Sequence, residues 1–255
     1  MTKILLPLPT EGFDPTEVAI PWKILTEAAH DVQFATPEGS VGSVDDRMLN
    51  GTDLGIWKRV LRARGDAVEA YHTMVATEAF KKPHTYAALK ATMFDGLLLP
   101  GGHDKRVREY LESEILQRLV VDFFKAKKAV GAICHGVVVL ARSKIPETGK
   151  SVLEGYKTTA LLKKQETLAY TMTRLYLGDY YLTYPGMTVE GEVRDALEDQ
   201  SDFIEGPSPM CRDSPEKMKH GFSLTDRNYV SARWPGDAYN FSNAFEALLS
   251  SGSEK

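Results

Sequence analysis

Short segments that are almost wholly apolar alternate along the chain with segments of helical periodicity. Residues 3–9, 94–102 and 129–133 are of the first kind, which is typical of strands buried on both faces of a sheet. Residues 15–29 and 113–127 are of the second kind, with apolar side chains three and four positions apart. This alternation predicts an α/β fold in which a doubly wound, mainly parallel sheet is sandwiched by helices.

The rest of the chain extends this pattern. We predict further strands at 31–37 and 156–161, a hairpin at 222–233, and helices at 136–144, 163–175 and 238–249. Residues 40–85 show no clear period, and we interpret them as an insertion that forms a cap. Because the chain has no repeat, low-complexity linker or shift in composition, we predict a single domain over residues 1–255.

Composition and charge narrow the class of protein. The chain has 255 residues, with 31 Lys and Arg against 35 Asp and Glu, which gives a net charge of −4. This mildly acidic balance argues against nucleic acid as a partner, since that requires a basic face. The apolar run near the start is too short for the core of a signal peptide, and no run is long enough to span a bilayer. Two cysteines are too few for a disulfide scaffold, so we expect a cytoplasmic protein with no membrane partner.

The segment Ala132-Ile133-Cys134-His135-Gly136 carries the most distinctive chemistry, because a buried strand leads directly into Cys134 and a helix begins at once. A nucleophile on such a sharp strand-to-helix turn projects out of the sheet, and the small Gly136 lets the helix start close by. The helix N-terminus is expected to lower the pKa of the thiol and favour the thiolate. The alternative is a buried, inert core cysteine.

Three further residues can complete a site around Cys134. His135 can act as its base because the turn reverses the chain, although it could instead only cap the helix. Gly102 ends the preceding strand at the same edge of the sheet, where its amide and that of His135 could form an oxyanion hole. Glu17 follows the first strand. If burial protonates it, it can donate to the sulfur or act as general acid or base; otherwise it is a solvated first-turn residue.

Four segments together resemble the ThiJ/PfpI superfamily, and in particular its larger branch of heat-shock chaperones and glyoxalase III enzymes. They are the region of Glu17, LLLPGGH at 97–103, AICHG at 132–136 and NYVSARWPGDA at 228–238. The similarity extends over residues 3–249 and is weakest over 40–85. It implies a flavodoxin-like fold of the class I glutamine amidotransferase type, usually assembled as a homodimer. It also implies cofactor-free thiol chemistry on small reactive carbonyls, with chaperone activity in some members.

The resemblance assigns roles to individual residues. Cys134 matches the nucleophile, His135 the adjacent base, and Glu17 the carboxyl group that hydrogen-bonds the thiol. The amides of Gly102 and His135 match the oxyanion site. The candidates for the acidic partner of His135 are Glu166 and, as alternatives, Asp179 and Glu154.

Other residues near these motifs receive weaker assignments. His103, beside Gly102, is a candidate substrate-binding residue. His72, His84 and His103 are nevertheless scattered and read as surface or rim histidines, so the two-histidine-plus-carboxylate metal site of some family members is not found, and we predict no metal and no cofactor. In the segment 178–186, buried tyrosines are expected, and Tyr181 or Tyr184 could line the pocket. Cys211 lies between prolines and is interpreted as a spare surface thiol.

The favoured function is a glyoxalase III-type conversion of a 2-oxoaldehyde such as methylglyoxal to a 2-hydroxy acid, with chaperone or deglycase activity as an addition. An amidase, a protease or an isonitrile hydratase could use the same Cys134–His135 pair on an amide-like substrate. Glutaminase chemistry is disfavoured because His220 is the only later histidine and lacks the expected acidic neighbour. A non-catalytic stress chaperone or redox sensor is the third interpretation, since an exposed reactive Cys134 would oxidise readily.

Overall fold

The computed structural model describes residues 2–208 and 211–252. Its strands are β1 (Lys3–Pro7), β2 (Glu11–Phe13), β3 (Asp31–Thr36), β4 (Ser43–Val44), β5 (His84–Thr85), β6 (Gly96–Leu99), β7 (Ala129–Ile133), β8 (Ser223–Asp226) and β9 (Tyr229–Ala232). Its helices are α1 (Pro15–Glu27), α2 (Asp46–Asn50), α3 (Lys58–Leu61), α4 (Gly65–Val75), α5 (Glu78–Lys81), α6 (Arg108–Leu111), α7 (Glu114–Lys125), α8 (Gly136–Arg142), α9 (Lys163–Leu177), α10 (Val189–Asp195) and α11 (Ala238–Gly252).

A seven-stranded sheet in the order β5-β3-β1-β6-β7-β9-β8 forms the centre of the fold. All neighbouring strands are parallel except β8, which runs antiparallel to β9. Helices flank the sheet, with α1 packed against α11, and α7 against α8. A separate parallel pair joins β2 to β4. The predicted class, a doubly wound α/β sheet sandwiched by helices, is confirmed.

The apolar runs in the sequence correspond to the middle of this sheet. Strands β1, β6 and β7 lie side by side at its centre, and their apolar side chains are buried except for that of Ala129, which is partly buried. Covering both faces explains why these strands show no alternation of polar and apolar residues. Because all three strands are parallel, their carboxyl ends open at one edge, and the candidate residues follow those ends.

The predicted strand at 156–161 is wrong. Thr158 makes a single bridge to Phe203, and the Thr159 amide donates to the Ser231 hydroxyl at 3.0 Å. Strand β9, which carries Ser231, already has β7 on one side and β8 on the other. With both edges of β9 occupied, the segment contacts side chains of β9 instead, and the backbone groups of Thr158 pair with those of Asp202 and Ile204.

Residues 40–85, which the sequence left unassigned, contain β4, α2, α3, α4, α5 and β5. The segment is only partly outside the sheet, because its last residues form the edge strand β5 beside β3. Met48 in α2 and Leu61 in α3 line a mainly apolar cavity near the candidate site. Within the described ranges, none of the helices is both long and apolar enough to cross a bilayer.

Candidate active site

A tight turn joins β7 to α8 and carries Cys134. The backbone of Cys134 has φ of +57°, a left-handed conformation that is costly for a residue with a side chain. The next helix starts so close to β6 that a Cβ on Gly136 would lie 2.2 Å from the Leu99 carbonyl oxygen. The turn therefore has the strained strand-to-helix geometry that the sequence predicts, and glycine at 136 is a steric requirement.

The sulfur of Cys134 has two polar side-chain partners, although Cys134 belongs to the buried hydrophobic core. His135 places its Nδ1 atom 3.5 Å from Sγ, and the Glu17 carboxyl group is hydrogen-bonded to the thiol. Glu17 also accepts a hydrogen bond of 2.8 Å from the Gly101 amide. The three side chains are buried, with Cys134 only 1 % exposed. The structure thus brings together the predicted nucleophile, base and carboxyl group.

Thr183 holds the far side of the His135 ring, a role that the sequence analysis missed. Its hydroxyl lies 2.9 Å from His135 Nε2 and donates to the His103 carbonyl oxygen at 3.2 Å. A hydroxyl has one proton, so a group that donates to this carbonyl accepts from Nε2–H. That arrangement leaves a lone pair on Nδ1 directed at the thiol. One feature of the sequence could have indicated this role: Thr183 is a polar residue within the tyrosine-rich segment 178–186.

The structure does not bring Glu166 to His135, because both ring nitrogens of His135 have other partners. Glu166 accepts a hydrogen bond of 3.1 Å from the Val189 amide. The alternatives lie elsewhere too: Asp179 pairs with Lys105 at 2.6 Å, and Glu154 with Lys150. The position predicted for an acidic side chain is taken by the neutral hydroxyl of Thr183.

Burial determines the protonation of the site. It raises the pKa of the Cys134 thiol well above its usual range, and the charge of Asp14 and the hydrogen bond to Glu17 raise this pKa further. The hydrogen bond from the His135 amide acts in the opposite direction but does not prevail. The predicted lowering of the Cys134 pKa by the helix N-terminus is therefore wrong, since desolvation of the thiolate outweighs it.

The two partners of the thiol are neutral in the resting site. Burial and the charge of Asp14 raise the pKa of Glu17 well above 4.5, so that Glu17 holds a proton, as expected for a buried carboxyl group. Burial lowers the pKa of His135 well below 6.5. The site therefore contains a thiol beside a neutral imidazole with a free lone pair. In this arrangement the imidazole can act as a general base and accept the thiol proton.

Gly101 and Gly102 bring the β6 loop against the nucleophile turn. A Cβ on Gly101 would lie 2.7 Å from the His135 amide nitrogen and 3.1 Å from Cys134 Cβ. Gly102 instead approaches the backbone of Gly12, whose carbonyl oxygen would lie 2.7 Å from a Cβ at 102. The His135 amide thus faces the sulfur side of the turn, while the oxyanion role of the Gly102 amide stays a prediction.

A cavity of about 500 Å³ lies next to this group of residues. Cys134 is not among its described lining residues, but two neighbours of the sulfur are, namely His103 and Asp14. The His103 ring centroid lies 4.9 Å from that of His135 and 4.8 Å from that of Tyr181, which also lines the cavity. Tyr184 instead lies between Arg108 and Arg142. Of the two tyrosines considered, Tyr181 is the one that lines the pocket.

His103 is buried, which corrects its interpretation as a surface or rim residue. Burial lowers its pKa to about 4, and its Nδ1 atom finds no hydrogen-bond partner among the described residues. Three atoms that could bind a metal ion, one each from His103, Cys134 and His135, lie within 4.8 Å of one another. The described part of the chain contains no other such cluster. Two imidazoles and a thiolate suit a soft metal ion such as Zn²⁺. The absence of a metal remains a prediction.

Replacing Glu166 tests its assignment as a structural carboxyl group. Burial raises the pKa of Glu166 from 4.5 to about 7. At pH values between 4.5 and 7, Glu166 is protonated in the folded protein but ionised in the unfolded chain. The stability that protonated Glu166 contributes at low pH is therefore lost as the pH rises towards 7. Glu166→Gln keeps the acceptor without the charge. We expect it to match the wild type near pH 4 and to be more stable by about 2 kcal/mol at pH 8, measured by urea denaturation.

The matched control is the exposed Glu38. Glu38→Gln should change the free energy of unfolding equally little at both pH values, because no burial penalises its charge. A Glu166→Gln effect of the same size at pH 4 and pH 8 would contradict the assignment of a buried, protonated carboxyl group.

Comparisons with known proteins show which family and fold the chain resembles. A family model described as ThiJ/PfpI family-like matches residues 8–207. The chain is 26% identical over 166 residues to the glutathione-independent glyoxalase hsp3102 of Schizosaccharomyces pombe, covering 64% of this chain and 65% of that protein. It is 25% identical over 152 residues to glyoxalase 3 of Candida albicans, covering 58% and 59%. These matches span less than two thirds of the relatives' lengths. The crystal structure of glyoxalase III from Candida albicans superposes with a TM-score of 0.70 over 97% of each chain, at 20% identity, which shows a common fold.

Proposed function

The chain belongs to the ThiJ/PfpI family, and on that premise we propose that it is a cysteine-dependent, cofactor-independent enzyme of the glyoxalase III type. It would convert 2-oxoaldehydes such as methylglyoxal to 2-hydroxy acids. The names of two relatives support this substrate class. The observation that carries the proposal is the contact of 3.5 Å between the Cys134 sulfur and a His135 nitrogen that is free to accept a proton.

The reaction begins with the activation of the thiol. The substrate aldehyde approaches from the cavity past His103, whose unpartnered Nδ1 is available to hydrogen-bond a carbonyl oxygen. As the sulfur forms a bond to the aldehyde carbon, His135 Nδ1 takes the thiol proton and the carbonyl π electrons move to oxygen. The His135 amide, which faces the sulfur, stabilises the resulting oxyanion. Transfer of the proton from His135 to this oxygen gives a neutral hemithioacetal.

The second stage moves hydrogen between the two carbons. His135, neutral again, removes the proton from the former aldehyde carbon, and the electron pair forms an enediol with the adjacent carbonyl, whose oxygen is protonated by Glu17. Protonated His135 then returns its proton to the second carbon, while the Glu17 carboxylate takes the proton of the first hydroxyl, which gives a thioester of a 2-hydroxy acid. Water then attacks the thioester, the carbon–sulfur bond breaks, and the thiol is restored. The net change is the addition of one water molecule.

Product analysis tests the proposal. The purified protein is incubated with methylglyoxal without glutathione, and the formation of lactate is measured. We expect lactate in an amount equal to the aldehyde consumed. Loss of aldehyde without lactate would reject the reaction. Cleavage of an amide or hydration of an isonitrile under the same conditions would assign the Cys134–His135 pair to hydrolysis or hydration instead.

The role of Thr183 leads to a separate prediction. Thr183→Val keeps the shape of the side chain but removes the group that accepts from His135 Nε2. We expect kcat to fall about tenfold or more, because the ring loses the bond that directs the Nδ1 lone pair at the thiol. Thr183→Ser restores the hydroxyl and should recover most of the activity. Equal rates for the valine and serine variants would show that packing, and not the hydrogen bond, is what Thr183 provides.

A further inference from the structure

The cavity beside the site is much larger than methylglyoxal. Its volume is about 500 Å³, within the range of pockets that hold drug-sized ligands. At roughly 30 Å³ for each non-hydrogen atom, the share of a water molecule in the liquid, the five such atoms of methylglyoxal fill about 150 Å³. A substrate of this size therefore leaves most of the cavity without contacts, and the additional space can hold a larger substituent.

The lining of the cavity indicates the chemistry of that substituent. Three rings contribute to the wall, those of His103, Tyr181 and Trp234, and so do the thioether side chains of Met48 and Met172. Rings favour edge-to-face and offset contacts with a further aromatic group, and methionine sulfur makes favourable contacts with ring edges. Among the apolar groups that could enter the cavity, these rings and sulfur atoms favour a flat aromatic one over an aliphatic one.

Two of the lining residues connect this wall to the reacting atoms. His103 contributes a ligand atom within 4.8 Å of the Cys134 sulfur, and Asp14 is close enough to raise the pKa of that thiol. The mouth of the cavity is also apolar, since its lining residues Val60 and Leu168 are 57 % and 60 % exposed. A molecule with an apolar body and a dicarbonyl end would thus contact apolar groups as it enters the cavity and reach the thiol last.

We infer that the preferred substrates are 2-oxoaldehydes with an aromatic substituent, whose ring occupies the cavity while the aldehyde carbon reaches Cys134. The inference rests on the proposed function and adds the class of side chain that the site selects. Phenylglyoxal is the simplest such compound, and addition of one water molecule converts it to mandelate, as it converts methylglyoxal to lactate.

Product binding tests this selectivity independently of turnover. The affinities of the protein for mandelate and for lactate are measured by titration calorimetry. We expect mandelate to bind at least about tenfold more tightly, since a single methylene in a hydrophobic pocket already changes affinity by about that factor. Equal affinities, or tighter binding of lactate, would overturn the inference.

A substitution in α9 tests whether the ring binds in this cavity. Ala169 lines the cavity and is half-buried, so that Ala169→Trp places an indole in the space assigned to the substrate. The control is Thr171→Trp, on an exposed position of the same helix that is outside the cavity lining. We expect the preference for mandelate to be lost in the first variant and kept in the second. A preference that survives Ala169→Trp would place the ring elsewhere and overturn the assignment.

Rates with the two aldehydes separate this inference from the proposed function. We expect kcat/KM to be at least about tenfold higher for phenylglyoxal than for methylglyoxal. Tight mandelate binding without turnover of either aldehyde would contradict the proposed reaction but support an aromatic-binding cavity. Turnover of methylglyoxal with no preference for mandelate would support the reaction and overturn the aromatic selectivity.

Discussion

Replacing Cys134 by alanine is expected to lower kcat for methylglyoxal by about 10³-fold or more, because the covalent hemithioacetal can no longer form. The fold should be retained, since the change removes one atom from a buried polar site. Lactate formation at saturating methylglyoxal is the measurement, with the far-ultraviolet circular dichroism spectrum as a check on folding.

The second cysteine supplies the matched control. Cys211 is free and exposed, so Cys211→Ser should leave the rate unchanged. Full activity of Cys134→Ala would contradict the covalent mechanism. If neither cysteine affects turnover but the protein suppresses aggregation of an unfolded client in both variants, the stress-chaperone interpretation would replace the enzymatic one.

Gly136→Ala is expected to destabilise the protein by about 3 kcal/mol and to impair turnover as well. A methyl group at this position would lie 2.2 Å from the Leu99 carbonyl oxygen and 2.7 Å from that of Pro100. Both obstacles are backbone atoms at the end of the central strand β6, so α8 must shift to relieve the overlap. That shift would move Cys134 and His135, which lie immediately before the helix. Urea denaturation measures the stability and lactate formation the activity.

Gly65→Ala is the corresponding control. It lies at the start of α4, and a Cβ there would meet no atom within 4 Å. Alanine should be neutral or stabilising by up to about 1 kcal/mol, because it restricts the unfolded chain and favours the helix. Similar losses of stability for the two glycines would show that close approach to β6 is not what position 136 requires.

The fold could be predicted wherever burial produces a recognisable pattern of apolar residues in the local sequence. Strands β1, β6 and β7 are buried on both faces, so their apolar runs are visible without any knowledge of their neighbours. Asp14 accepts from the amides of Thr16 and Glu17, as expected of a helix cap preceding Pro15. The segment 156–161 looked equally strand-like, but strand pairing depends on an edge that is free, and β8 occupies that edge of β9.

The site could be predicted in part for a similar reason. Cys134, His135 and Glu17 follow strand ends, and parallel strands bring their ends together, so that their proximity follows from topology. Thr183 reaches His135 from an irregular segment after α9, which no period or motif describes. The raised pKa of Cys134 was missed as well, since the local helix N-terminus is visible in the sequence whereas the depth of burial is a property of the whole fold.

The dispersed origin of the site has a consequence for how activity arises during folding. The carboxyl group of Glu17 meets the amide of Gly101 across 84 positions of the chain, and Thr183 meets His135 across 48. No fragment that forms early from local contacts can contain all of these groups. A chain that has not yet formed these long-range contacts therefore has a Cys134 thiol without its partners, and any chemistry that depends on the assembled site requires the complete fold. In this sense, the chemistry of the site would report whether the chain has folded completely.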